Sequence, residues 1–247
     1  MCSGREGDDR SVGLTRAERY VAVTGLLLAN ALAGLALRLD RRPAHTPAPL
    51  ADVKNVSHKA GVVENPVSGE RIRILRRGGG PDGDALVWEL VLAPGGQVPS
   101  SHRHPRQEEC FNVLEGELEL RVGRQRLQVR RGESATVPPG LVHHFANRGA
   151  TATRVVVETV PALDMEPLLR TAAALARDQH QAGKRVPRLV DLALFMWEFR
   201  AEVSAPWVPT VADVATRAIA RLACVFGYDL RYRQLRGSAA GSGSYPG

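Results

Sequence analysis

Cysteine is scarce in this sequence, and its spacing argues against two classes of site. The 247 residues include three cysteines, Cys2, Cys110 and Cys224, an odd number without a CxxC pair. A disulfide framework or a zinc site made of thiolates needs cysteines paired in number and spacing. We therefore expect a protein of a reducing compartment, and we place it in the cytoplasm.

Dense runs of lysine and arginine interleaved with aromatic residues are also missing. The formal net charge is +7, but the cations are mostly arginines that stand singly or in pairs. This distribution is typical of a solvated surface rather than of a track of phosphate contacts, so no nucleic-acid partner is expected. The apolar share of 44% and the charged share of 24% are those of an ordinary globular protein. The length favours one core domain with attached segments.

One long apolar run lies near the start of the chain. Thr15 and Glu18 have the spacing of a capping box, and residues 20–37 follow between Arg19 and Arg38. At a rise of about 1.5 Å per residue this run spans about 27 Å, which barely crosses a bilayer core. Three interpretations stay open: a signal peptide, a membrane anchor, and a helix buried against the rest of the protein or a second subunit. We favour the buried helix, because both ends are cationic and a clear cleavage site is missing.

A proline-rich linker at 40–52 closes this N-terminal extension, which we assign to residues 1–54. Alternating apolar and polar residues then fill residues 55–160, as where Ile72 and Ile74 alternate with arginines. The same alternation recurs in residues 86–92 and 117–122. Short strands separated by Gly-rich turns predict an antiparallel barrel or sandwich.

Beyond Pro161 the apolar residues recur with a helical period. We predict helices over 164–182 and 189–203, and a later helix with one apolar stripe, which is more typical of a core or a subunit interface than of a membrane surface. The stripe consists of Val214, Ala215, Ala218, Ile219, Leu222, Val225 and Phe226. This helical extension is assigned to 161–236, and the Gly/Ser/Ala-rich tail at 237–247 is predicted to be disordered.

Two short segments between the strands carry the chemistry. In a strand, His102 and His104 share one face with Cα atoms about 6.7 Å apart, so their imidazoles can converge on one ion. Glu109 begins the following strand and offers an anionic oxygen, which beside neutral imidazoles suits a borderline divalent metal. A Pro/Gly turn at 138–140 presents His143 on a later strand.

The two segments resemble the two signature motifs of the cupin superfamily at every defined position. They read Gly-x5-His-x-His-x4-Glu-x6-Gly over residues 96–116 and Gly-x5-Pro-x-Gly-x2-His-x3-Asn over residues 132–147. The resemblance implies a mainly β fold: a small antiparallel jelly-roll barrel over roughly residues 55–160, with N- and C-terminal helical extensions. It also implies that one divalent transition metal, Fe, Mn, Ni, Cu, Co or Zn, is held by His102, His104, Glu109 and His143. Asn147 takes a structural role.

Other polar residues near these motifs have simpler interpretations. Glu108 and His144 have the opposite parity to ligands and are expected to point outward, and Glu133 lies in a turn. Trp88 can line the cavity, but a tryptophan on an alternating strand is more often part of the core. Cys110 is expected to be an inert buried thiol.

Four protein ligands leave one or two positions of a five- or six-coordinate ion for substrate or dioxygen. In the family that the sequence resembles, such sites serve dioxygenases, isomerases, decarboxylases and lyases. Our leading hypothesis is a metal-dependent oxygenase or isomerase that acts on a small, partly apolar molecule, with Glu109 as the candidate catalytic residue. The alternative is a binding or sensor module without catalysis. We expect a homodimer, because cupins often dimerise and the flanks are apolar; membrane contact through residues 20–37 is the alternative already named.

Overall fold

The computed structural model describes residues 61–78, 84–184, 187–206 and 210–241. Within these residues the chain forms nine β-strands followed by four α-helices. The strands are β1 Val63–Asn65, β2 Glu70–Arg77, β3 Leu86–Leu92, β4 Glu108–Glu115, β5 Glu117–Val122, β6 Gln125–Arg130, β7 Ser134–Val137, β8 His143–Ala146 and β9 Thr153–Val160. The helices are α1 Met165–Gln181, α2 Leu189–Glu198, α3 Thr210–Val225 and α4 Leu230–Gly241.

The strands form two antiparallel sheets. One sheet has six strands in the order β1-β2-β3-β9-β4-β7, and the other has three in the order β6-β5-β8. Strand β9 pairs with both β3 and β4, so the strand that comes last in the sequence lies in the interior of the sheet. The two sheets and the helices that follow them confirm the mainly β jelly-roll fold with a C-terminal helical extension.

The core lies between the two sheets. Phe111 of the six-stranded sheet and Phe145 of the three-stranded sheet are both buried, and their ring centroids are 5.6 Å apart. The alternation seen in the sequence decides which side chains face inward, since Leu118 and Leu120 are buried while Arg121 between the strand's apolar positions is exposed. Each such aliphatic or aromatic side chain contributes about 1.5–3 kcal/mol by leaving water.

Two motif glycines lie where the backbone passes close to another segment. A Cβ at Gly116, whose φ is 76°, would lie 2.9 Å from Oγ1 of Thr153. A Cβ at Gly96 would lie 2.9 Å from the carbonyl oxygen of Ala93. Both distances are too short for a Cβ atom. Only glycine therefore fits at these two motif positions without a shift of the backbone.

The C-terminal helices have a small core of their own. Leu175 of α1, Leu194 of α2 and Tyr232 of α4 pack together with buried alanines of α3. Arg231 of α4 links two other helices, because its guanidinium contacts Asp178 of α1 at 2.5 Å and Asp191 of α2 at 2.7 Å. Helix α1 also joins the barrel, where the guanidinium of Arg177 donates to the carbonyl of Glu64.

The second predicted helix is shorter than the sequence indicated. We expected it to span 189–203, but α2 ends at Glu198. Two amides, those of Glu202 and Val203, bond to the carbonyl of Phe199 and turn the chain, and Ser204 then pairs with Arg103 of the barrel. The chain leaves the helix because residues 199–204 make their hydrogen bonds to a turn and to the barrel instead.

The predicted disordered tail begins too early. Helix α4 continues to Gly241, so residues 237–241 are helical rather than disordered. Ala239 is buried, and the hydroxyl of Ser238 donates to the carbonyl of Gln234 one turn earlier. This packing holds a segment whose composition alone favours disorder; residues 242–247 lie outside the described residues.

The apolar stripe of α3 is exposed rather than buried in the core. Leu222 is 55% exposed, and Phe226, just after the helix, is 68% exposed. The face that α3 buries is formed instead by Ala220 and Ala223, whose small side chains let the helix approach its neighbours closely. The large apolar residues are therefore left on the surface.

The apolar run at 20–37, the linker and the rest of residues 1–60 lie outside the described residues, so the predicted N-terminal helix stays a prediction. Among the helices that the structure describes, none combines the length and the apolar character required to cross a bilayer.

Candidate metal centre

The backbone brings His102 and His143 together. The amide of His102 donates to the carbonyl of His143 at 3.0 Å, and the amide of His143 donates to the carbonyl of His102 at 2.8 Å. The two residues thus form one antiparallel pair between the first motif and strand β8. The carbonyl of His104 also accepts from the amide of Gly140 at 2.7 Å, which ties the Pro/Gly turn to the same segment.

The three predicted histidines form one cluster. The ring centroids of His102 lie 5.0 Å from His104 and 4.3 Å from His143, and the rings of His104 and His143 lie 5.3 Å apart. One nitrogen from each ring lies within 4.8 Å of the other two, a spacing at which the three rings could hold a metal ion. His104 and His143 are buried, whereas His102 is partly exposed.

Each imidazole is oriented by a backbone carbonyl. Nδ1 of His102 lies 3.1 Å from the carbonyl oxygen of Ser100, and Nδ1 of His143 lies 3.2 Å from that of Leu141. Nδ1 of His104 lies 2.6 Å from the carbonyl oxygen of Glu202. A carbonyl only accepts, so in the neutral rings the proton sits on Nδ1 and the lone pair on Nε2. A neutral ring held in this way is in the tautomer that binds a metal through Nε2.

A buried atom without a partner tests whether the site fits a metal. Nε2 of His143 is buried and has no hydrogen-bond partner, although Oε2 of Glu109 lies 3.2 Å away. Leaving a buried polar atom unpaired costs about 1–3 kcal/mol, so such an atom in a native protein calls for an explanation. An ion bound at Nε2 would provide the missing partner, and the residues present therefore fit a metal.

The carboxylate of Glu109 joins two of the three imidazoles. Its Oε2 lies 3.4 Å from Nε2 of His104 and 3.2 Å from Nε2 of His143, and all three side chains are buried. The structure thus brings the predicted fourth ligand next to the histidine cluster. Strand β4 places it there, since Glu109 shares its inward parity with Phe111 and Val113.

The charges within the cluster favour an anion at Glu109. Burial alone would raise the pKa of Glu109, but the neighbouring rings of His104 and His143 bring it well below its usual value. Burial likewise opposes protonation of His104, yet Glu109 raises its pKa. Burial, together with His143 and His104, lowers the pKa of His102 well below its usual value. The cluster holds one carboxylate and at least one neutral imidazole at neutral pH.

Sequence reasoning missed a hydrogen-bonded chain behind Glu109. The indole N–H of Trp88 donates to Oγ1 of Thr159 at 3.1 Å, and that hydroxyl lies 3.4 Å from Oε1 of Glu109. Trp88 is buried as predicted, but it also reaches the site through Thr159. A signal for Thr159 was present, since it has the inward parity of Val155 and Val157 on the same strand.

None of the remaining candidates is as buried as His104, Glu109 or His143. Glu108 and Glu133 are exposed, and the carboxylate of Glu133 caps the amide of Arg130. His144 is half-buried, and burial lowers its pKa. Cys110 is a free, half-buried thiol whose pKa is raised by burial, as an unreactive thiol requires.

Asn147 has the structural role that was assigned to it. It is fully buried, and its amide nitrogen donates to the carbonyls of Leu92, Ala93 and Thr151. Its side-chain oxygen accepts from the amide of Gly149. One side chain thereby joins the end of β3 to the loop before β9.

Comparison with known proteins locates the similarity in the barrel. Residues 88–158 match the family model described as Cupin domain, a range that includes all four predicted ligands. The chain is 34% identical over 97 residues to the tetracenomycin polyketide synthase protein TcmJ of Streptomyces glaucescens, which covers 36% of this chain and 64% of that protein. It is 31% identical over 71 residues to polyketide synthase CurC of Streptomyces cyaneus, which covers 29% of this chain and 46% of that protein.

Both alignments thus span less than two thirds of the relatives they match. Among solved structures, KdgF from Halomonas sp. is 20% identical over 45% of this chain and 94% of its own, with a TM-score of 0.38. An RmlC-like cupin from Shewanella frigidimarina NCIMB 400 is 20% identical over 43% of this chain and 87% of its own, with a TM-score of 0.37.

Proposed function

We propose that this chain is a metal-dependent enzyme of the cupin type, an oxygenase or an isomerase, because residues 88–158 match the Cupin domain model. It binds one divalent transition metal, Fe, Mn, Ni, Cu, Co or Zn, through His102, His104, Glu109 and His143. The observation that carries the proposal is the convergence of three imidazoles whose Nδ1 atoms are all engaged by carbonyls. Their Nε2 lone pairs are left for an ion.

The set of donors suits such a metal. Imidazole and carboxylate ligands together favour Fe, Mn, Ni, Cu, Co or Zn, whereas Mg²⁺ and Ca²⁺ prefer oxygen ligands alone. When bound, the ion would supply Lewis-acid or redox chemistry at positions that the protein ligands leave open. The side of His102 is the more accessible one, since that residue is partly exposed while His104 and His143 are buried.

The chain's own residues provide orientation and a base. Oε1 of Glu109 is held by the hydroxyl of Thr159, so Oε2 is directed at the imidazoles. As an anionic oxygen at the ion, Glu109 can also accept a proton from a substrate. The aromatic rings of Phe111 and Phe145 lie 6.3 Å from His143 and 6.5 Å from His102, and they give the site an apolar wall.

The relatives suggest a class of substrate. TcmJ and CurC are named as polyketide synthase proteins. A polyketide-derived molecule carries carbonyl and hydroxyl oxygens that bind transition metals, on a carbon skeleton that packs against apolar rings. We propose such a small, partly apolar molecule as the substrate.

A metal analysis followed by a substrate test decides the proposal. The protein is purified without chelators, its metal content is measured, and samples reconstituted with Fe(II), Mn(II), Ni(II) and Zn(II) are incubated with phenolic and 1,3-dicarbonyl compounds, with and without air. Metal-dependent conversion supports an enzyme, and a requirement for air supports an oxygenase. Tight binding of these compounds without conversion would instead support the sensor or binding module.

We also propose a homodimer that forms through the exposed apolar face of α3. Val214, Leu222, Val225 and Phe226 lie on the surface of this helix or just after it. A contiguous exposed apolar patch is typical of an association site. A second copy of the same chain is the simplest partner, because most soluble oligomers are symmetric homodimers.

A further inference from the structure

A segment of the C-terminal extension pairs with Arg103, which lies between His102 and His104. Residues 199–204, here called the strap, follow α2. The amide of Arg103, between two predicted ligands, donates to the carbonyl of Ser204 at 3.0 Å, and the amide of Ser204 donates to the carbonyl of Arg103 at 2.9 Å. The strap therefore forms a backbone pair with the barrel at Arg103, between the two histidines of the first motif.

The strap also holds one ligand directly. Nδ1 of His104 donates to the carbonyl of Glu202 at 2.6 Å, across 98 residues of chain, and both residues are buried. His102 and His143 differ in this respect, because each is oriented by a carbonyl two residues earlier on its own segment. His104 alone among the three depends on a partner from outside the barrel.

The helices fix the position of the strap. Phe199 is 1% exposed, its amide donates to the carbonyl of Phe195, and its own carbonyl accepts from the amides of Glu202 and Val203. Helix α2, which precedes the strap, is joined to α4 by the hydroxyl of Tyr232, which donates to Glu198 at 2.6 Å. A shift of these helices would thus be transmitted to the carbonyl of Glu202.

We propose that the strap is a positioning element of the metal centre, which couples the docking of the C-terminal helices to metal affinity. The proposal rests on the proposed metal-binding function. Groups that hold the second nitrogen of a ligating histidine fix its tautomer and orientation, and their loss weakens metal binding about 10- to 100-fold. Coupling between binding free energies is reciprocal, so a bound ion should in turn hold the strap on the barrel.

The test uses a matched pair of proline variants of the full-length chain. Ser204→Pro removes the amide that donates to Arg103. Ala205→Pro introduces the same residue one position later, where the amide donates no hydrogen bond within the described residues. Chelator competition with Zn(II) and Co(II) should show about 10- to 100-fold weaker binding in Ser204→Pro. Ala205→Pro should stay within about 2-fold of the unmodified protein, because it lacks this effect.

A second readout needs no metal. In the metal-free protein, nitrogen-15 NMR should show a slowly exchanging Nδ1–H of His104, assigned by its loss in His104→Gln. This signal should broaden or vanish in Ser204→Pro and persist in Ala205→Pro. Its absence from the unmodified protein would overturn the proposal, as would unchanged metal affinity in a folded Ser204→Pro.

The two proposals fail in different ways. If the unmodified protein binds no metal, the proposed function fails, while the Nδ1–H signal still decides whether the strap positions His104. If Ser204→Pro does not fold, hydrogen exchange of the unmodified protein takes its place. Saturation with Zn(II) should then slow the exchange of the amides of Arg103 and Ser204, and equal rates with and without Zn(II) would overturn the coupling.

Discussion

Thr159 holds one oxygen of Glu109, with its Oγ1 3.4 Å from Oε1, and thereby directs the other oxygen at the imidazoles. The hydroxyl is itself oriented, because it accepts the indole N–H of Trp88. The carboxylate is therefore positioned by a residue outside both sequence motifs.

Thr159→Val should weaken metal binding by about 10-fold, since it keeps the shape of the side chain and removes the hydroxyl that orients Glu109. Chelator competition measures the change. Thr153→Val is the matched control, because Thr153 is equally buried and its hydroxyl bonds to the carbonyl of Glu117 instead. Equal effects of the two substitutions would show that Thr159 matters only for stability.

His104→Ala should abolish stoichiometric metal binding, because it removes a buried ligand beside Glu109. Elemental analysis after reconstitution measures the metal content. His144→Ala, at the adjacent half-buried position, should lower affinity by no more than about 10- to 100-fold. Full metal occupancy in His104→Ala would contradict the predicted ligand set.

Glu70 should make the protein less stable as the pH rises. Burial raises its pKa from 4.5 to about 7, while the hydroxyl of Ser68 and the amide of Asn65 oppose that rise. Between these pH values the folded state holds a proton that the unfolded state has lost. The free energy of unfolding therefore falls through this window, by up to about 3 kcal/mol at about 1.4 kcal/mol per pKa unit, and is level above about pH 7.

Glu70→Gln replaces the carboxyl by an amide that does not titrate. This substitution should remove the part of the pH dependence that Glu70 contributes. Urea unfolding at pH 5, 6, 7 and 8 measures the free energy of unfolding. Relative to the unmodified protein, this free energy should increase for the variant as the pH rises. Glu64→Gln is the control, because Glu64 is exposed and pairs with Arg71 on the surface. Parallel pH curves for Glu70→Gln and the unmodified protein would contradict the prediction.

Replacing Leu222 and Phe226 together by glutamate should convert the proposed homodimer to a monomer, because two charges would be placed in the apolar face of α3. Sedimentation velocity measures the mass. Arg221→Glu, a charge change at another exposed position of the helix, should leave the dimer intact. A monomeric unmodified protein would end this proposal.

The spacing of the motif residues predicted that the three histidines and Glu109 lie close together, because local parity decides which side chains share a face. His102 and His104 flank the exposed Arg103 and point to the same cluster, and Glu109 has the inward parity of Phe111 and Val113 on β4. The same parity rule predicts that Thr159 faces inward. It gives no reason to distinguish Thr159 from the inward-facing valines of the same strand.

The contact of Glu202 with His104 could not be predicted in this way. It joins a backbone carbonyl to a ring 98 residues away, and a carbonyl is common to every residue. The end of α2 and the exposure of the α3 stripe depend in the same way on tertiary contacts, since residues 199–204 pair with the barrel and small alanines fill the inner face of α3. Periodicity shows that a face is apolar, but not what covers it.

The mutual backbone bonds of His102 and His143 have a kinetic consequence for any bound ion. Both predicted ligands belong to one hydrogen-bonded pair, so separating the two segments there would remove two ligands at once. An ion that leaves by this route escapes at the frequency with which the pair opens, rather than at the rate of breaking single metal bonds. The release rate of a coloured ion such as Co(II) would then report the rate of local unfolding. It could be compared with the exchange rate of the amide hydrogens of His102 and His143.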